Sequence, residues 1–177
     1  MEIIEVSHLL GEWGADYILR HSHGSLEAAT RRYNQPGILD IDHVATHTEF
    51  RGRGVAKTLL RTAVTIIPPL EQQQIETVHL SLINPKMVGV LDAVFGSATQ
   101  YYAEASERSA RVNRLDTATA FDLCSERTNA AQEYVNQNQE LPDDLDPGIS
   151  AQIDIADIDF SRWQMPLFII RPQSKLL

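Results

Sequence analysis

A chain of 177 residues, 43% of them apolar, can bury one core, while 15 basic against 24 acidic residues give a net charge of −9. An acidic surface repels phosphate backbones and attracts cations, which argues against nucleic acid and for an amine-bearing partner. The single cysteine, Cys124, excludes an internal disulfide and suits a reducing cytoplasm. Neither an apolar run of about 18 residues nor a basic start before an apolar core is present, so a soluble, intracellular product is expected.

Met1 to Val6 fits an edge strand. From Ser7 the pattern reads as helical, with Ser7 as N-cap and Leu9, Leu10, Trp13, Tyr17 and Ile18 on one face. His21-Ser22-His23-Gly24 breaks it, and the two histidines lack the Cys or acidic partners that a metal site needs. Ser25 caps a second short helix through Arg32, and Asn34-Gln35-Pro36-Gly37 turns the chain onward. Residues 1–36 are thus expected as a short helical leader.

Gly37 to Ala63, GILDIDHVATHTEFRGRGVAKTLLRTA, reads as strand, tight turn and helix in succession. Leu39, Ile41, Val44 and Ala45 supply the strand's apolar run; Val55, Leu59, Leu60, Ala63 and Ile67 recur at helical spacing. Asp40 and Asp42 fall on one strand face, Ile41 and His43 on the other, until a bulge changes register. Between strand and helix sits Arg51-Gly52-Arg53-Gly54-Val55-Ala56. Glycines let backbone N–H groups approach a ligand, and a helix start aims its unpaired donors at an anion. The segment therefore suits a phosphate. A P-loop would need Gly-x-x-x-x-Gly-Lys-Ser/Thr, which Lys57-Thr58 does not complete, and Ala56 comes one position early for a dinucleotide fingerprint.

The helix is expected to end at Pro68-Pro69, followed by a strand over 76–83 on the alternation of Val78, Leu80 and Leu82. A right-handed crossover would set that strand parallel to 38–46. Asn84-Pro85 then opens a helix running from Lys86 to Phe95. Asp116 caps a long helix to about Gln139, with Phe121, Cys124, Ala131 and Val135 as its packing stripe. Residues 140–148 are an acidic, proline-punctuated loop. Ile153, Ile155, Ile158 and Phe160, with Leu167 to Arg171, are expected to form a closing antiparallel hairpin. Asp154, Asp157 and Asp159 fit a solvated strand edge better than a cation site.

Strand, turn and helix together resemble the acyl-CoA-binding motif of the Gcn5-related N-acetyltransferase (GNAT) family, Arg/Gln-x-x-Gly-x-Gly/Ala. Arg51, Gly54 and Ala56 take its defining positions. The resemblance covers roughly Leu39 to Asn84. It implies acetyl-CoA as co-substrate and transfer of an acetyl group to a primary amine of a small molecule or protein. Arg51, Gly52, Arg53, Gly54, Val55 and Ala56 would hold the pyrophosphate, backbone groups of Val44, Ala45 and Thr46 the pantetheine, and Asn84 the CoA arm. The family often carries a general base early on this strand, which points to Asp40 or Asp42. His43 and His47 are rivals, since imidazole titrates near neutral pH.

The chain departs from the family in two places. The family's tyrosine, which protonates the departing thiolate, is replaced by Leu91, with Tyr101 and Tyr102 the nearest substitutes. The leader is short, so a remodelled sheet edge is open to completion by a second copy as a homodimer or by the chain's own C-terminal strands. The expected whole is one α/β domain over 1–177: a mixed, mostly antiparallel sheet flanked by helices, with 37–96 as the acetyl-CoA-binding core. Residues 97–177 would add a variable C-terminal helix and β-hairpin. The alternative is a catalytically inactive GNAT-like binding, regulatory or structural protein.

Overall fold

The computed structural model describes residues 3–11, 14–31, 35–71, 74–81, 83–104, 111–137 and 148–172. Trp13, Asn34, Leu82 and the acidic loop up to residue 147 lie outside them. In chain order the elements are β1 (Ile3–Leu10), β2 (Gly14–His21), β3 (Gly24–Arg31), β4 (Gln35–Thr46), α1 (Val55–Leu70), β5 (Thr77–Leu80) and α2 (Pro85–Phe95). There follow β6 (Thr99–Glu104), β7 (Arg111–Leu115), α3 (Thr117–Asn136), β8 (Ile149–Asp154) and β9 (Leu167–Pro172). They form two compact units, Met1–His79 with Asp154–Leu177, and Leu80–Ile153. The α/β class and the mostly antiparallel pairing match the sequence reading.

In the first unit the hydrogen-bonded order is β5-β4-β3-β2-β1-β9. The leader is three strands, not two helices. β1 to β4 form an antiparallel meander, with the two-residue turn Ser22-His23 joining β2 to β3. The reason lies in a period of two that the helical reading passed over. Ala15, Tyr17 and Leu19 are buried while Asp16 and Arg20 are exposed, and Ile4 and Val6 repeat the alternation on β1. Leu9, Leu10, Tyr17 and Ile18 fit helical spacing only because two strand faces were read as one stripe.

Helix α1 lies against β2, β3 and β4 and buries Val55, Leu59, Leu60, Ala63, Val64, Ile66 and Ile67. Each large aliphatic side chain so removed from water contributes about 1.5–3 kcal/mol. Pro68 and Pro69 occupy its last turn, where the chain stops being helical as expected. Just beyond, Glu71 accepts hydrogen bonds from the hydroxyls of Tyr17 and Thr30 and ties the helix end to the sheet.

β5 runs parallel to β4. Glu76 N–H donates to the Gly37 carbonyl, and His79 meets Asp40, so both strands advance together at a constant offset. A second parallel pair was not expected: β9 lies beside β1, with Ile3 opposite Leu167 and His8 opposite Pro172. The closing hairpin is therefore absent. Short 3-10 turns at Ile155–Asp157 and Phe160–Arg162 break the alternation after β8 and release β9 toward β1.

The second unit orders its strands β7-β6-β8, both pairs antiparallel. Asn84 Oδ1 accepts from Met87 N–H at the start of α2, and Asp116 Oδ1 accepts from Thr119 N–H at the start of α3. Val88, Leu91, Tyr101, Ala120, Cys124, Ile149, Ala151 and Ile153 are buried. Of the stripe foreseen on α3 only Cys124 is buried: Ala131 is half-buried, Phe121 and Val135 are exposed, and Ala120 is the other buried residue.

Candidate functional site

The site is built where β4 hands the chain to α1. Opposite β3, Ala28 faces Ile41 and Glu27 faces His43, so Asp42 is an extra residue and the register shifts there. This is a β-bulge. Its effect is to exchange faces. Leu39 and Ile41 point toward α1 with Ala28 and Thr30; past the bulge Val44, opposite Leu26, takes over that side. His43 consequently joins Asp40 on the face away from the helix, whereas simple alternation had separated them.

β5 ends at Leu80, one residue past His79. β4 continues past the bulge through Asp42 to Thr46. Val44, Ala45 and Thr46 are half-buried along this stretch.

After a 3-10 turn at Thr48–Phe50, the chain passes through Gly52 and Gly54 at φ of 78° and 85°. Both values lie in the left-handed region that glycine enters without strain. A Cβ at either position would meet nothing within 4 Å, so these glycines leave space open in front of the helix. Gly54 is the N-cap of α1, no side chain caps the helix, and no acidic residue lies in its first turn. The first amide bonded back within the helix is Thr58 N–H, to the Gly54 carbonyl at 2.9 Å. The amides of Val55, Ala56 and Lys57 precede it, as the first donors of a helix must, and Arg51, Arg53 and Lys57 surround them with positive charge.

The β2–β3 turn forms a wall of this site, which the sequence reading missed. Gly24 stands so close to β4 that an added Cβ would lie 2.3 Å from the Ala45 carbonyl oxygen and 3.0 Å from Val55 Cγ1. His23 stacks on Phe50 with centroids 3.5 Å apart, and the Arg53 guanidinium lies 5.2 Å from the same ring's centroid. A cavity of about 110 Å³ opens among His23, Phe50, Arg53, Val55 and Thr58. The only sequence signal for this wall was the small residue at the end of a two-residue turn.

Of the expected base residues, Asp40 is half-buried and its Oδ1 lies 2.9 Å from Nδ1 of His79. Asp42 and His43 are exposed, and His47 lies beyond the end of β4 with its N–H on the His23 carbonyl. Asn84 belongs to the second unit, where its side-chain oxygen caps α2. Leu91 is fully buried there. Tyr101 is also a core residue: its hydroxyl donates to the Val88 carbonyl, and burial pushes the phenol well above its ordinary range. Tyr102 donates to Gln100 Oε1 at 2.7 Å.

No protein-family model and no curated protein sequence matches the chain. Among solved structures it is similar to the Gcn5 protein of Tetrahymena, at 11% identity and a TM-score of 0.43, over 82% of this chain and 70% of that one. It is also similar to a tandem GNAT protein from the clavulanic acid biosynthesis pathway, at 14% identity and a TM-score of 0.39. That alignment covers 54% of this chain but only 34% of the tandem protein. A spermidine N-acetyltransferase SpeG chimera from Vibrio cholerae aligns at 16% identity and a TM-score of 0.37, over 58% of this chain and 61% of the chimera.

Proposed function

We propose that this protein transfers an acetyl group from acetyl-CoA to a primary amine. The observation that carries the reading is the uncapped start of α1, framed by two left-handed glycines with open space before them. Oriented amides and a positive dipole end favour a phosphate there. Arg51, Gly52, Arg53, Gly54, Val55 and Ala56 form the pyrophosphate cradle, and Arg53 and Lys57 add charge. The pantetheine then runs back along Val44, Ala45 and Thr46 toward the bulge.

The bulge explains why transfer would occur at that point. A bulged strand frees backbone groups from the ladder and re-aims them, which suits polarisation of a thioester carbonyl. Asp40, Asp42 and His43 flank it, and Glu27 stands opposite His43. These carboxylates suit an ammonium acceptor. Most of the rate gain would come from holding thioester and amine together. The thiolate is a good leaving group, so a buried Leu91 in place of a tyrosine is compatible with turnover.

Calorimetric titration of acetyl-CoA into the protein and into Gly54→Trp tests the cradle. Wild-type binding weakened about 100-fold, ~2.7 kcal/mol, by the indole is the expected result. Thiol release in the presence of a primary-amine panel then separates a transferase from a protein that only binds CoA. A folded wild-type protein with no affinity for acetyl-CoA would sink the reading.

A further inference from the structure

The β4–β5 pair carries a histidine–carboxylate couple that the motif does not include. His79 Nδ1 lies 2.9 Å from Asp40 Oδ1, and the two side chains are 16% and 21% exposed. A carboxylate only accepts, so Nδ1 holds the proton in that bond, and in its neutral form the ring presents Nε2 as a lone pair. Nε2 has no partner among the described residues. Val78 and Leu80 on either side are buried, which turns His79 to the face away from α1, the face shared by Asp40 and His43. The couple sits one residue before the point where β4 outruns β5. His43, by contrast, is exposed and has no partner among the described residues to fix its ring.

We propose that His79 Nε2 takes the proton of the incoming ammonium, with Asp40 as the positioning residue that fixes its tautomer and stabilises the imidazolium. This rests on the acetyl-transfer reading above and names its base. The ammonium N–H bond breaks toward Nε2, and the freed lone pair forms the C–N bond at the thioester carbonyl. The C–S bond then breaks with its electron pair leaving on sulfur. The nitrogen's second proton goes to the thiolate, and His79 returns its own to water. The products are the acetamide and CoA thiol, with one proton released.

Thiol release from acetyl-CoA with 1,4-diaminobutane is measured for wild type, His79→Ala and Asp40→Asn. His79→Ala is expected to lose about 100-fold in kcat, in keeping with the usual worth of a general base, with KM for acetyl-CoA unchanged. Free imidazole restores part of that rate, which a merely structural histidine would not permit. Asp40→Asn loses about tenfold and is not rescued. Equal rates for wild type and His79→Ala overturn the assignment while leaving the transferase reading intact. Carbethoxylation of His79 by diethyl pyrocarbonate, followed by mass spectrometry, gives a second readout that needs no turnover. Protection of His79 by bound acetyl-CoA supports its place beside the bound co-substrate, and unchanged modification overturns it. Absence of any acetyl-CoA binding removes the reading and the assignment together, and the calorimetric trace distinguishes that case.

Discussion

The three α-helices of the described residues begin in two different ways. α2 and α3 close their first turns with their own side chains, Asn84 Oδ1 to Met87 N–H at 3.0 Å and Asp116 Oδ1 to Thr119 N–H at 2.8 Å. α1 is given Gly54 in a left-handed conformation and no side-chain acceptor. A glycine in place of a side-chain cap gives up only about a few tenths of a kcal/mol, so the chain leaves one helix start open at little loss and caps the other two. Helices that only support the fold satisfy their own donors; the one that leaves them open also has glycines, three cations and a cavity before it. That contrast separates a site from a scaffold better than the motif's letters do.

The largest effect is expected behind the open end, where Gly24 lets the β2–β3 turn lie against Ala45 and Val55. Gly24→Ala places a Cβ 2.3 Å from a backbone carbonyl that cannot move without disturbing β4. A loss of about 1–3 kcal/mol in denaturant unfolding is expected, with weakened acetyl-CoA binding in the fraction that stays folded. Unchanged stability would mean that the wall is not rigid.

The next test puts a carboxylate where α1 lacks one. Ala56→Glu complements the helix dipole and is expected to stabilise the fold by about 0.3–1 kcal/mol. The same charge competes with a phosphate, so acetyl-CoA affinity should fall about tenfold, ~1.4 kcal/mol. A variant that is both more stable and an equal binder would show that the open end holds no anion. The converse is Asn84→Ala, which uncaps α2. It should cost about 1 kcal/mol, roughly 2–4 °C in Tm. Acetyl-CoA binding serves as the second readout: if it falls beyond what the lost stability explains, Asn84 also serves the CoA arm.

The same contrast explains what could be read from the residues. The strand, turn and helix around Arg51 to Ala56 were legible because local chemistry decides them: glycines where φ is positive, apolar residues at two successive periods. Asp116 as a cap was legible for the same reason. The leader was not, because short strands with one polar face place Leu9, Leu10, Tyr17 and Ile18 at spacings a helix also satisfies, and only the pairing of β1 to β4 chooses between them. The parallel partnership of β9 with β1 joins residues from opposite ends of the chain, and no local signal encodes it. The pairing of His79 with Asp40 was invisible for a related reason. Its neighbours Val78 and Leu80 mark a strand, but its approach to Asp40 depends on the register between two strands separated by a whole helix.

The smallest effect comes from titrating one of the closed helix starts. Asp116 is held below its ordinary 3.8 first by the amide of Thr119, then by that residue's hydroxyl. Its folded value is depressed, so its contribution is fully present above the unfolded value, 3.8, and is lost as the pH falls through the folded one. Amide exchange at Thr119, corrected for the intrinsic pH dependence, should therefore accelerate as the pH is lowered below about 4. Asp116→Asn keeps the acceptor and removes the charge, so its Thr119 amide should show no such step. At the start of α1 no carboxylate stands in the first turn to titrate. The Val55, Ala56 and Lys57 amides should exchange rapidly on both sides of that pH and slow only when acetyl-CoA is added. Protection of those amides in the free protein would mean that α1 has a cap of its own, and the distinction between its start and the other two would disappear.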